Sequence, residues 1–317
     1  MKITVLDSKA MGDDLSFSPL EQYGKVTVYH TTASDEVCER IRDAEIVITN
    51  KNKITRAAME SARDLRLVCV FATGYDNIDV AYARERGIAV CNVPAYSTES
   101  VALYTFATAL SLITHLREYN DFVTSGTYST AGVPNKLTPV YHELMGKTWG
   151  IVGCGNIGSR VAQIASVFGA RVIVYQRHEH PKYPTVSFET LCQESDIISL
   201  HCPLSDATRA IVNRHAIDNM KQDVILINEA RGAVVDEGEV ASAIEEGRIG
   251  AYGCDVYSTE PFGENHPFYA IRGRKNVLLT PHAAWGAYEA RARCLDIICQ
   301  NIESFSRGEV KNRVDII

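Results

Sequence analysis

Three residues of different chemistry stand just past apolar runs in the second half of the chain: Arg231 after 224–228, Glu260 after 251–255 and His282 after 277–279. Arg231 offers a planar cation that can hold a carboxylate or a polarised carbonyl through paired hydrogen bonds. His282 is a proton donor and acceptor near neutral pH, and Glu260 is a carboxylate able to keep that imidazole protonated. Hydride transfer to a carbonyl that adjoins a carboxylate needs this set: a cation, a proton for the new hydroxyl, and a group that holds the donor charged. Each residue alone has a structural alternative. Arg231 could form an ion pair at a helix start, Glu260 could be a solvated loop charge, and His282 could be a satisfied core histidine.

A glycine-rich turn supplies the other half of such chemistry. Gly153-Cys154-Gly155-Asn156-Ile157-Gly158 follows the apolar run 148–152 and opens a helical pattern over 159–168. The first glycine permits the tight turn, the second lets backbone N–H groups approach a pyrophosphate, and the third allows close helix–strand contact. The acidic residue that marks NAD specificity about twenty residues on is replaced here by Gln176, followed by Arg177. Without that carboxylate a 2′-phosphate is not repelled, and Arg177 can pair with it. The expected cofactor is therefore NAD(P)(H), leaning to NADP(H); the alternative is that Gln176 hydrogen-bonds a free 2′-hydroxyl while Arg177, His178 and His180 form a solvated loop. No third ligand accompanies His178-Glu179-His180, and no metal is expected.

Short apolar runs recur with helical or turn segments between them, at 3–6, 26–29, 46–49, 67–70 and 88–91, and again at 148–152, 171–175, 197–200, 224–228, 251–255 and 277–279. This alternation predicts an α/β architecture of two doubly wound parallel-sheet (Rossmann-like) domains, with ligands at the strand C-termini. A long, mostly apolar helix over 97–116 marks a crossing between them, and an amphipathic helix over 288–306 returns to the first. The expected domains are 1–98 with 287–317 for substrate and 99–286 for the dinucleotide.

The 317 residues are 46% hydrophobic and 22% charged, ordinary for a folded protein. The net charge of −7, with no long basic run, argues against nucleic acid as a partner. Nine cysteines without CxxC spacing read as buried, reduced thiols. With no apolar stretch suited to a leader or a membrane span, no membrane partner and a cytoplasmic location are expected.

The series GCGNIG at 153–158, HCPL at 201–204, NEARGAVVDE at 228–237, GCDVYSTEP at 253–261 and TPHAAWG at 280–286 resembles the D-isomer-specific 2-hydroxyacid dehydrogenases. FATGYDNIDV at 71–80 and GIAVCNVPAYSTESVA at 87–102 extend the resemblance over nearly the whole chain. It implies a cofactor held in a cleft between two doubly wound domains and a homodimer. It assigns substrate binding to Arg231, proton transfer to His282 and support of the imidazole to Glu260, the three candidate catalytic residues. Backbone N–H groups of Thr73 and Gly74 would meet the substrate carboxylate. Asp255 would sit near the nicotinamide amide. Cys202 and Pro203 would line the adenine side, and Thr208 joins Gly153, Gly155, Asn156, Ile157, Gly158, Gln176, Arg177 and His282 among the expected cofactor-binding residues.

Residues 49–51, the Ala72-Thr73-Gly74 loop, HCPL and Trp285 look like the glycerate dehydrogenase or hydroxypyruvate reductase branch. The expected activity is reduction of a small 2-keto acid, hydroxypyruvate or glyoxylate, to the D-2-hydroxy acid. Tyr75, Tyr96 and Trp285 would also give a pocket an apolar wall, which suits aryl or alkyl pyruvates. A corepressor-like dinucleotide-sensing protein is the alternative from another class, since the same fold and triad serve both. Glu229 departs from the family pattern, in which a small or hydroxylic residue is common, and is expected near Arg231 or the cofactor.

Overall fold

The computed structural model describes residues 1–316. The chain divides into two compact units, Met1–Ser97 with Gly286–Ile317, and Thr98–Trp285.

In the first unit, β1 (Lys2–Val5), β2 (Lys25–Val28), β3 (Ile46–Thr49), β4 (Leu67–Val70) and β5 (Ala89–Cys91) form a parallel sheet in the order β2-β1-β3-β4-β5. Strands β3, β4 and β5 are buried along their whole length. Parallel strands covered on both faces must be apolar on both, which is why their sequences are continuous rather than alternating. The helix Tyr288–Ser306 belongs to this unit and packs on β4, burying Ala290, Cys294, Leu295, Ile298 and Ile302 along one face. The chain end follows β5: Val314 N–H donates to Val90 O at 2.9 Å, and Asp315 accepts from Val90 N–H at 2.8 Å.

Strand order reverses between β1 and β3, the point at which doubly wound sheets open a crevice. Here the crevice is occupied from within. The buried Asp7 carboxylate, just past β1, accepts the backbone N–H of Asn50 at 2.9 Å and of Lys51 at 2.6 Å.

In the second unit, β6 (Thr148–Val152), β7 (Arg171–Tyr175), β8 (Ile197–Leu200), β9 (Ile225–Asn228), β10 (Ala251–Cys254) and β11 (Val277–Leu279) form a parallel sheet in the order β11-β10-β9-β8-β6-β7. The reversal falls between β6 and β8. The helix Thr98–Ile113 packs on β9, β10 and the helix Asn156–Val167. Side chains of Thr55, Asp79, Ser187, Asn213 and Asp236 accept helix N-terminal N–H groups, satisfying donors that have no partner within the helix.

One expected helix is two. The apolar pattern over 97–116 gives a helix that stops at Ile113, with His115 left-handed at φ 50° and a second helix over Leu116–Thr124 that buries none of its residues. The apolar face ends where the packing ends. No helix among the described residues is long and apolar enough to cross a membrane. All nine cysteines are free, and eight of them are buried.

Replacing Asp7 with Ala leaves the buried Asn50 N–H and the partly buried Lys51 N–H without an acceptor and should cost about 2 kcal/mol. Urea denaturation checks this, and an unshifted midpoint would remove Asp7 as an anchor.

Candidate active site

The glycine-rich turn joins β6 to the helix Asn156–Val167. Gly153 has φ +87°, and a Cβ there would lie 2.7 Å from Cys202 Cα, in the loop after β8. A Cβ on Gly158 would collide with Gly153 O. Around Gly155 a Cβ would meet nothing within 4 Å, so open space lies over the helix N-terminus. Two glycines therefore close the turn and the third keeps it uncovered. The first-turn N–H groups of a twelve-residue helix border that space. This is the cradle a pyrophosphate requires, and a side chain at 155 would fill it. Cys202, which burial pushes up to about 11, sits beside it. Thr208 Oγ1 donates to Pro203 O at 2.6 Å and accepts Ser205 N–H at 2.8 Å, fixing the HCPL loop.

At the end of β7, Gln176 donates its side-chain amide to His178 O at 2.8 Å, which leaves its carbonyl oxygen as an acceptor. Arg177 is exposed and has no carboxylate partner among the described residues. The His180 Nδ1 accepts N–H bonds from Lys182 and Tyr183 at 3.2 Å, a turn-stabilising role.

The two residues expected to move the proton stand in the loops after β10 and β11. His282 Nδ1 lies 2.6 Å from Glu260 Oε2, with side chains 26% and 30% exposed. A bond this short to a carboxylate fixes the ring and leaves Nε2 as the nitrogen for chemistry. His282 has φ +54°, a conformation that side chains other than glycine adopt at a cost. What holds it is Asp255, 1% exposed at the end of β10. Asp255 Oδ1 accepts Thr280 Oγ1–H at 2.7 Å and Ala283 N–H at 2.8 Å, and Oδ2 accepts Ala284 N–H at 2.8 Å. Sequence reasoning gave Asp255 no part in shaping the His282 loop; its place at a strand end was the available signal. Ala284 O in turn accepts the Ser100 hydroxyl at 2.6 Å, anchoring the backbone just before Trp285.

Arg231 is exposed and extended at the end of β9. It donates to its neighbour Ala230 O at 2.8 Å and makes no ion pair with any described carboxylate, so the helix-start salt bridge is absent. Its guanidinium is left largely undirected by the protein, as a group meant for an external anion would be. In the first unit, Thr73 Oγ1 donates to Val93 O at 2.9 Å and Asn92 donates to Thr73 O at 2.8 Å. The backbone N–H groups of Thr73 and Gly74 have no acceptor among the described residues. Tyr75 is 37% exposed and Tyr96 5%.

Glu229 is corrected. Instead of facing Arg231 or a cofactor, its buried carboxyl turns inward to the helix Thr98–Ile113, accepting from Thr105 Oγ1 at 2.5 Å and Thr108 Oγ1 at 3.2 Å. Glu229 lies one residue past β9, on which the helix Thr98–Ile113 packs, and the Thr105 and Thr108 hydroxyls of that helix capture its carboxyl. Burial, and then the nearby Asp255 charge, push its pKa up to about 8.

A carboxyl whose pKa rises from 4.5 to about 8 on folding is still protonated in the native state over the range where the unfolded chain has already ionised. Its stabilisation is complete below 4.5 and is lost as pH rises to about 8. The Tm difference between Glu229→Gln and the parent should therefore grow in the variant's favour from pH 5 to pH 8. A difference independent of pH would show that Glu229 is ionised in the folded protein.

Residues 106–284 match the family model described as D-isomer specific 2-hydroxyacid dehydrogenase, NAD binding domain. A hydroxypyruvate reductase of Blautia hydrogenotrophica is 38% identical, the match covering 99% of this chain and 100% of the relative. A glyoxylate reductase of Thermococcus litoralis is 36% identical over 86% of this chain and 83% of its own. Among solved structures, an acyclic imino acid reductase in complex with NADPH and D-Arg superposes with a TM-score of 0.86 at 30% identity, covering 99% of this chain and 100% of that one. Matches of this extent, over both parallel-sheet units, make the chain a member of the D-isomer-specific 2-hydroxyacid dehydrogenase family.

Proposed function

We propose that the protein reduces a small 2-keto acid, hydroxypyruvate or glyoxylate, to the corresponding D-2-hydroxy acid with a nicotinamide dinucleotide. The hydrogen bond between His282 and Glu260 is the observation that carries this reading. The two reductases named above act, by their names, on these acids and are similar over most of their lengths.

A nicotinamide, when bound, would supply the hydride that C2 of the keto acid accepts. His282 Nε2–H delivers the proton to the carbonyl oxygen, and Glu260 stabilises the imidazolium that exists before delivery. Asp255 keeps the loop, and so the ring, in place. Arg231 holds the carboxylate and draws the negative charge that develops on the carbonyl oxygen. The N–H groups of Thr73 and Gly74, in the first unit, would by the family resemblance also serve substrate binding. In the oxidative direction the neutral imidazole accepts the hydroxyl proton. Gly153, Gly155, Asn156, Ile157 and Gly158 would hold the pyrophosphate, with Cys202, Pro203 and Thr208 forming the adjacent loop.

The unpaired Arg177 and the absence of an acid at Gln176 favour NADP(H). The homodimer implied by family is supported by the exposed apolar residues Leu137, Val140 and Met145, at 75%, 66% and 74%, which a second copy would cover. Sedimentation at micromolar concentration tests it, and a monomer there counts against it.

His282→Ala should lower kcat by about a hundredfold or more while cofactor affinity is kept. Unchanged turnover would sink the assignment. Arg231→Ala should act mainly on kcat/KM, and a normal value would take Arg231 out of the site. A panel of hydroxypyruvate, glyoxylate, pyruvate and phenylpyruvate, each with NADH and NADPH, tests substrate and cofactor together. Preference for phenylpyruvate would replace the small-acid reading, and absence of turnover with every acid would favour a binding role. For Arg177→Glu the KM for NADPH should rise with little change for NADH.

A further inference from the structure

Glu237 is buried beside the proton-transfer residues and has no part in the reaction just described. It opens the helix Glu237–Glu245, and its side chain is only 8% exposed. Oε1 accepts Ser258 N–H at 2.8 Å, and Oε2 accepts the Ser258 hydroxyl. His266 Nε2 lies 3.0 Å from Oε2, within ion-pair distance though not aligned as a hydrogen bond, and the His266 side chain is 6% exposed. Since His266 Nδ1 accepts the Phe268 N–H at 3.2 Å, a neutral ring carries its proton on the nitrogen that faces Glu237. Rings of Phe262 and Phe268, at 4.8 and 5.2 Å, wall the imidazole in.

The consequence runs along the backbone. Gly232, next after Arg231, has no side chain because a Cβ there would collide with the Tyr257–Ser258 peptide. That peptide is thus pressed on the segment that follows Arg231 and tied down by Glu237. At its first residue, Tyr257, the N–H of the preceding peptide donates to Glu260 Oε1 at 3.0 Å and Oη–H donates to Thr280 O at 2.8 Å. Glu260 Oε2 then meets His282 Nδ1. Residues 255–266 have no helix or strand of their own, so the direction of the Glu260 carboxylate depends on how this peptide is held. Burying a carboxylate is costly unless its bonds are complete, and Glu237 directs two of them to one residue of the turn.

We propose that Glu237, backed by His266, is a positioning residue for proton transfer: it clamps Ser258 so that Tyr257 N–H aims Glu260 at His282. The proposal rests on the reading of His282 and Glu260 as the proton-transfer pair.

The test uses the full chain and has a readout in the cofactor-free protein. The Nδ1–H proton of His282 in a short bond to a carboxylate should give a downfield proton NMR signal, assigned by its loss in His282→Ala. Glu237→Ala should move that signal upfield or broaden it into solvent, and lower kcat about tenfold with cofactor Kd unchanged. Glu237→Gln, which keeps one acceptor, should fall between, and serves alone if the alanine variant does not fold. In a Glu260→Gln background the further loss from Glu237→Gln should nearly vanish, because both changes act on one contact. A folded Glu237 variant with parental signal and kcat, whatever its Tm, would overturn the proposal, as would additive losses in the double variant. Normal turnover in His282→Ala would instead overturn the pair on which the proposal rests, so the two failures are distinct.

Discussion

Asp255 is the group on which the geometry of the proposed proton-transfer pair depends. Its carboxylate gathers one hydroxyl and two backbone N–H groups from the loop after β11, and that loop carries His282 in a left-handed conformation. The strain of such a residue, on the order of 1–3 kcal/mol, is offset by hydrogen bonds to a buried acceptor, each worth more to a charged group than to a neutral one. Ring orientation is then completed by Glu260. One carboxylate sets the backbone and a second sets the side chain.

A division of labour follows along the sheet of the second unit. The loops after β6 and β8 meet at the reversal of strand order, where glycine lets backbone approach backbone. The loops after β9, β10 and β11 carry Arg231, Glu260 and His282. In the proposed reaction, chemistry would come from one half of the sheet's C-terminal edge and dinucleotide binding from the other. Parallel winding places both on the same edge without any long loop.

Much of this was legible in the sequence because its signals are local. Eleven runs of three to five residues are strands within about one residue of where the apolar runs lie. GCGNIG forms the strand–turn–helix its glycines imply, and the helix Tyr288–Ser306 joins the first unit. What was not legible depends on partners distant in sequence. The bonds of Asp255 to Ala284 span 29 positions and those of Glu237 to Ser258 span 21. Glu229 read as a site residue because of its place in the motif, yet its carboxyl is held by Thr105 and Thr108, over 120 positions away. At His115, helix-forming residues continue on both sides, and the break follows from the end of packing rather than from a local stop signal.

The first unit is wound like the second, and its strand order also reverses beside the strand that opens it. There the N–H groups of Asn50 and Lys51 already hold Asp7. An outside phosphate seeking those donors competes with a tethered anion whose effective concentration is set by a peptide bond rather than by the cell. Repetition of a fold thereby yields two unlike halves: in one the reversal of strand order is lined by a glycine turn, and in the other by a carboxylate of the chain itself.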